Sequence, residues 1–187
     1  AIATTFFIMP IAAMFPLMTL QHFSGTTYQM SLVEISWGIG MLAGGAILGY
    51  PWLGKHKVIT INMMYILLGL TFMFSGILPA SGYVFFAAVT AFGGISYAVY
   101  SGSFTVVVQT MVEPSTLGRV FSLYGSITLL PSMIGLLATG FIADRIGIGD
   151  AFVISGVAIM LIGIAAFFVP AIRKMVRAEV RHTGKAL

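Results

Sequence analysis

The side chains best suited to chemistry in this sequence are concentrated in one stretch. Gly93, Ser96, Tyr97, Tyr100, Ser103 and Phe104 recur at i, i+3, i+4, i+7, i+10 and i+11, the spacing of one face of an α-helix. Four of the six carry hydroxyls. Aromatic rings with polar edges suit a bulky amphiphilic ligand. The same hydroxyls suit bonds to neighbouring helices, with Gly93 and Gly94 allowing close approach, so cavity and packing both fit the stripe. Val99 falls on the opposite face. Glu34 is the one acid well inside an apolar run. His22, His56 and His182 stand in polar breaks without ligand-like spacing, and there is no Cys. Thiolate metal sites and disulfides are excluded. No phosphate-cradling glycine loop is present, and no His, Asp or Cys cluster supports an enzyme. No cofactor or metal is called for.

The elements that must hold these residues follow from composition. Of 187 residues, 59% are hydrophobic and 7% charged, with a mean hydropathy of +1.05. A soluble domain carries about 25% charged residues. These values exclude a water-soluble fold, disorder and nucleic-acid binding, despite a net charge of +4. Six apolar runs are read at about 1–20, 31–53, 58–78, 83–112, 120–143 and 151–172. Each meets the requirement of about 20 residues for a hydrocarbon core of about 30 Å. In lipid only helices or closed barrels satisfy their own backbone, and the barrel alternation is absent. The expected fold is an all-α membrane bundle over 1–172, followed by a basic tail, 173–187.

The cations set an orientation. Lys55, Lys57, Arg119 and the five in the tail, eight of nine, fall on one side of a six-span chain. The positive-inside rule makes that side cytoplasmic, with both termini there and the chain integral to the plasma or inner membrane. In the tail, cations at 173, 177, 181 and 185 flank an apolar row, which fits a short helix on the anionic leaflet or charges that fix topology alone. The chain starts with Ala inside an apolar run, which reads as a fragment lacking an upstream portion.

Several residues gain meaning inside a membrane. A charge at the bilayer centre costs about 2.5–3.5 kcal/mol, and less near the interface. Glu34 is therefore a candidate to bind a proton, a cationic group or a partner, or else an interfacial residue. Asp144 beside Arg145 reads as an interfacial pair or helix-end feature. Pro10 and Pro16 each remove a backbone donor in the first span, giving a hinge or a static kink. Met9 and Met14 offer adaptable surface. The fourth span, at about 45 Å for thirty residues, should project from the membrane with Gln109 and Glu113.

Residues 39–47 (IGMLAGGAI) and 134–142 (IGLLATGFI) match at six of nine positions at an offset of 95. The copies stand three spans apart and run in opposite senses, as a 3+3 inverted repeat requires. Convergent small-residue packing gives similar strings.

The stretch 117–123 (LGRVFSL), then Pro131, residues 134–137 (IGLL), Gly140 and Ala143-Asp144, carries a further likeness. With Pro10, Pro16, His22-Phe23, Gly38, Gly40 and Gly44-Gly45, it resembles the C-terminal half of a major facilitator superfamily transporter. The group resembled is the macrolide-efflux-like, drug–proton antiporters. The resemblance implies helices seven to twelve of a twelve-helix protein, with the first and fourth spans lining a central cavity. It implies proton-coupled export of amphiphilic compounds by alternating access, against a missing N-terminal six-helix half and in contact with lipid. Met9 and the fourth-span stripe would line the cavity, Glu34 and Asp144 are coupling candidates, and Pro10, Pro16, Pro131 and Arg119 are hinge or gating candidates. A half-size homodimeric carrier and a non-transport assembly protein are the alternatives.

Overall fold

The computed structural model describes residues 2–50 and 57–169. The basic break at 54–56 and the amphipathic tail at 173–187 lie outside the described residues. The described residues form six membrane-length helices: α1 (Ile2–Leu17), continued by a π-helical turn (Met18–His22), α2 (Thr27–Leu48), α3 (Lys57–Ile77), α4 (Tyr83–Met111), α5 (Leu117–Ile146) and α6 (Ile148–Ala166). No strand occurs among the described residues. Each helix is long and apolar enough to cross a membrane. The all-α, six-helix class expected from the sequence is the one observed.

Local chemistry sets the helix ends. Thr26 caps α2: its Oγ1 accepts from Gln29 N at 3.3 Å, while Gln29 Oε1 accepts from Thr26 N at 2.8 Å, two orphan donors satisfied reciprocally. The α3–α4 turn closes through Gly82 N donating to Pro79 O at 2.7 Å. Gly147, at φ +99°, ends α5 and begins α6 in a backbone state that side chains resist. The exit from α1 departs from the sequence reading. The helix widens into the π turn just after Pro16, with Phe23 N reaching back to Met18 O at 3.3 Å. Such widenings concentrate at functional places in helices.

The internal repeat has a structural counterpart. Gly40 on α2 is pressed against the Ala91 carbonyl of α4, and Gly135 on α5, its repeat mate, against the Phe6 carbonyl of α1. Neither site has room for a Cβ. The Phe6 carbonyl is the one that Pro10 deprives of its i→i−4 donor, and the missing side chain on α5 leaves room for it. Between α3 and α6, Gly69, Gly76, Gly149 and Gly156 bring the backbones together. In lipid such close van der Waals packing substitutes for the hydrophobic drive.

The core sits toward the end of the bundle bearing the 78–82 turn. Phe15 of α1 touches Trp37 of α2, Phe72 of α3, Phe86 of α4 and Phe152 of α6, with ring centroids 5.3, 6.0, 6.0 and 5.7 Å away. His22 adds a tie at the same end, its Nε2 donating to the Leu78 carbonyl at 2.8 Å. Five helices thus converge on one side chain, and α5 is the helix left out.

Candidate functional site

Toward the opposite end, α1, α4 and α5 diverge around a cleft of about 240 Å³. Thr5, Ile8 and Met9 line it from α1, Tyr97, Tyr100, Ser101, Phe104 and Thr105 from α4, and Phe121, Tyr124 and Thr128 from α5. All lie in the parts of their helices nearest the 112–116 turn. The wall contains no charged side chain. Phe104 of α4 and Tyr124 of α5 pack against each other in its wall with ring centroids 5.0 Å apart. Tyr97 and Tyr100 meet edge to face at 5.4 Å, and Tyr97 also leans on Trp37 at 5.7 Å. Thr5 lies beside the Tyr124 phenol.

Two threonine hydroxyls of this wall are oriented by their own helices. Thr105 Oγ1 donates to Ser101 O at 2.9 Å, and Thr128 Oγ1 to Tyr124 O at 2.9 Å. A threonine that donates backward into its own helix keeps its oxygen lone pairs for other donors. The cleft therefore combines acceptor oxygens with aromatic faces.

The fourth-span stripe divides. Met9, Tyr97, Tyr100 and Phe104 reach the cleft, while Gly93, Ser96 and Ser103 do not. Gly93 lies against the Trp37 ring and Thr71, Ser96 Oγ donates to Phe92 O within α4 at 2.8 Å, and Ser103 is buried. Val99, placed on the opposite face, is buried at 1% exposure, because α4 packs against both α2 and α3 and the reverse of the stripe is core. The large apolar residues of α4 most exposed, and so most available to lipid, are Val84, Phe85, Phe92 and Met111, each more than half exposed.

The other candidates lie away from the cleft. Glu34 is exposed on α2, Asp144 is exposed in the last turn of α5, and Arg119 is exposed in its first. Arg145, beside Asp144, places its guanidinium over the Phe141 ring at 4.7 Å. Pro10 is buried beside Gly135, and Pro16 and Pro131 are half-buried within α1 and α5. Phe121, Tyr124 and Thr128 were not singled out by sequence reasoning. Their i, i+3, i+7 spacing carried the same signal as the fourth span.

Six membrane helices, paired by inverted-repeat glycines around an uncharged cleft, define one half of a secondary-transporter fold. The chain belongs to the Major Facilitator Superfamily, whose family model matches residues 1–186. It is 40% identical over 170 residues to macrolide efflux protein A of Streptococcus pyogenes, covering 91% of this chain and 42% of that protein. A macrolide efflux protein A of Enterococcus faecalis is 41% identical over 131 residues, 70% of this chain and 41% of its own length. The multidrug efflux pump Tap of Mycobacterium tuberculosis is 26% identical over 148 residues, 76% and 35% respectively. The chain thus spans about two fifths of the length of the first of these relatives. No solved structure matches the chain significantly.

Proposed function

We propose that this chain is the C-terminal half of a proton-coupled exporter of macrolide-like amphiphiles. The observation that carries the reading is the uncharged cleft of aromatic rings and oriented hydroxyls between α1, α4 and α5. At about 240 Å³ it falls below the roughly 300–1,000 Å³ of complete small-molecule sites. A second six-helix half supplies the remaining wall. Its seat is the lightly covered pair α2 and α5, which bury only Val33, Gly40 and Gly44, and Gly135, Thr139 and Ala143 respectively. By comparison α3, α4 and α6 each bury eight residues.

In this reading the end with the 112–116 turn faces the cytoplasm with both termini, and the Phe15 cluster closes the bundle on the outer side. The described state is then cleft-open to the inside. Closure rocks this bundle against its partner, with Pro10, Pro16 and the π turn of α1 taking up the bend and Pro131 that of α5. Arg119, at the inner end of α5, meets the anionic leaflet or the partner half. The coupling candidates are Glu34, exposed on the sparsely buried α2, and Asp144, exposed at the outer end of α5.

The test is drug susceptibility and uptake in an efflux-deficient bacterium expressing the full reading frame that contains this chain. Energy-dependent exclusion of macrolides is the expected result, and unchanged accumulation contradicts it. In vesicles, Glu34→Gln is expected to lose uphill efflux while keeping downhill exchange. Uphill efflux at native rates in that variant removes Glu34 from coupling.

A further inference from the structure

Trp37 of α2 packs against both the aromatic cluster at the closed end and the cleft. Its ring centroid lies 5.3 Å from Phe15 and 6.4 Å from Phe72 in the cluster. On its other side it lies 5.7 Å from Tyr97, which lines the cleft. Gly93 of α4 is the seat of this ring. A Cβ built there would stand 2.9 Å from Trp37 Cζ3 and 3.6 Å from Cε3, so the six-membered ring of the indole occupies the place of a side chain. Tyr97 follows Gly93 by four residues, on the same helical face. A long helical side chain covers the turn on the N-terminal side of its own Cα, which for Tyr97 is the turn of Gly93. The base of Trp37 is fixed separately, because its carbonyl abuts Gly94.

We infer that Trp37, seated on Gly93, is a positioning residue for the cleft: its ring holds Tyr97 in the wall and so sets the affinity of the site. The inference rests on the cleft being the drug site. Tyr97 is half-buried, and an aromatic side chain on a helix has two common χ1 wells. A ring packed beside it selects one of them. Tyr100 meets Tyr97 only edge to face, whereas Trp37 is itself held, with Phe72 nearly parallel to it at 14°. Because Gly94 pins the Trp37 backbone, a side chain at position 93 has to be relieved by moving the indole, and the indole's neighbours include Tyr97. Gly93 thus acts on the cleft without lining it. The contacts from Tyr97 through Trp37 to Phe15 also join the cleft wall to the cluster that closes the far end.

A double-mutant cycle in the full-length protein, read by direct macrolide binding, tests this. With Trp37 present, Gly93→Ala is expected to weaken binding about fivefold, the scale of one aromatic contact. With Trp37→Phe, which lacks the ring that Cζ3 belongs to, the same change is expected to cost less than about twofold. An equal loss in both backgrounds, or no loss with Trp37 present, overturns the inference. Should Gly93→Ala not fold, Trp37→Ala decides against Trp37→Phe: the alanine variant is expected to bind more weakly, by up to about tenfold, and equal affinities overturn the inference. A native protein that binds no macrolide removes the exporter reading and leaves the seat to be read without drug. For that, Trp37 emission is recorded with every other tryptophan replaced by phenylalanine. Gly93→Ala and Tyr97→Ala are each expected to shift it to longer wavelength, and an emission that either variant leaves unchanged overturns the positioning role.

Discussion

Two helix pairs related by the internal repeat use the same glycine differently. In α2 and α4, Gly40 abuts the Ala91 carbonyl, Gly44 would place a Cβ 2.6 Å from Ile95 O, and Gly94 abuts the Trp37 carbonyl. This contact continues over several turns, and Ser36 Oγ reinforces it by donating to Ala87 O at 2.8 Å. In α1 and α5 the equivalent glycine, Gly135, abuts Phe6, but the next repeat position is Thr139 where the other copy has Gly44. Prolines interrupt both helices of this second pair. One pair is zipped, while the other is pinned at a point and diverges into the cleft. The closely packed pair and the diverging pair therefore differ in the residue that follows the shared glycine by one turn, Gly44 against Thr139, and in the prolines that only the second pair carries.

The sharpest way to break this comparison is to add a methyl group to each pivot. Gly40→Ala drives a Cβ into a backbone carbonyl held by a long interface, and overpacking costs about 1–3 kcal/mol, occasionally more. Gly135→Ala creates the same clash on a helix that can move away. Thermal unfolding in detergent should show the larger loss at Gly40. In Gly135→Ala the greater loss should be of efflux, because α1 and α5 are displaced from each other. Equal unfolding shifts, or a reversed order, would remove the distinction between the pairs.

A second substitution examines the diverging pair itself. Tyr124→Ala removes the ring packed against Phe104, and a central aromatic contact is worth about 2 kcal/mol, roughly 30-fold in affinity. Direct binding measurements with a macrolide should show that loss, with expression close to native. Phe74→Ala, on the exposed face of α3, is the control and should bind normally.

The smallest effect is expected on α4. Phe92→Ala removes an exposed ring, and a surface change of this kind is usually within about 0.5 kcal/mol. Val99→Ala opens a buried site and should unfold at a lower temperature. If Phe92→Ala proves the more damaging, the lipid-facing side of α4 has been misassigned.

Much of this was legible before any coordinates. Lipid forces a chain to satisfy its backbone locally, so apolar run length determines helix existence, and six runs became six helices. The repeat at an offset of 95 was also readable, because Gly40 and Gly135 occupy equivalent contacts whose geometry admits no side chain. The stripe on α4 was only half informative. Helical periodicity gives an angle around one axis and says nothing about which neighbours fill it. Tyr97, Tyr100 and Phe104 point into the cleft, while Gly93, Ser96 and Ser103 meet packing or their own helix. Val99 shows the same limit from the other side. Tyr124 was overlooked because a hydroxyl in an otherwise apolar span gives a weak signal until Phe104 is placed beside it. The π turn after Pro16 had no sequence signal beyond the proline, since its closing bond from Phe23 N to Met18 O goes with a Phe23 ring seated against Phe86 of α4.

The central claim is that the α1–α4–α5 cleft lies on the substrate path, and substrate protection measures it most directly. Ser101→Cys places a thiol in the cleft, and Ser81→Cys places one in the distant, exposed α3–α4 turn. Both are made in a cysteine-free, transport-competent version of the full-length protein, and alkylation rates are compared with and without saturating macrolide. The account predicts slower alkylation at position 101 and an unchanged rate at 81. Unprotected labelling at 101 in protein that still binds and exports the drug would contradict it.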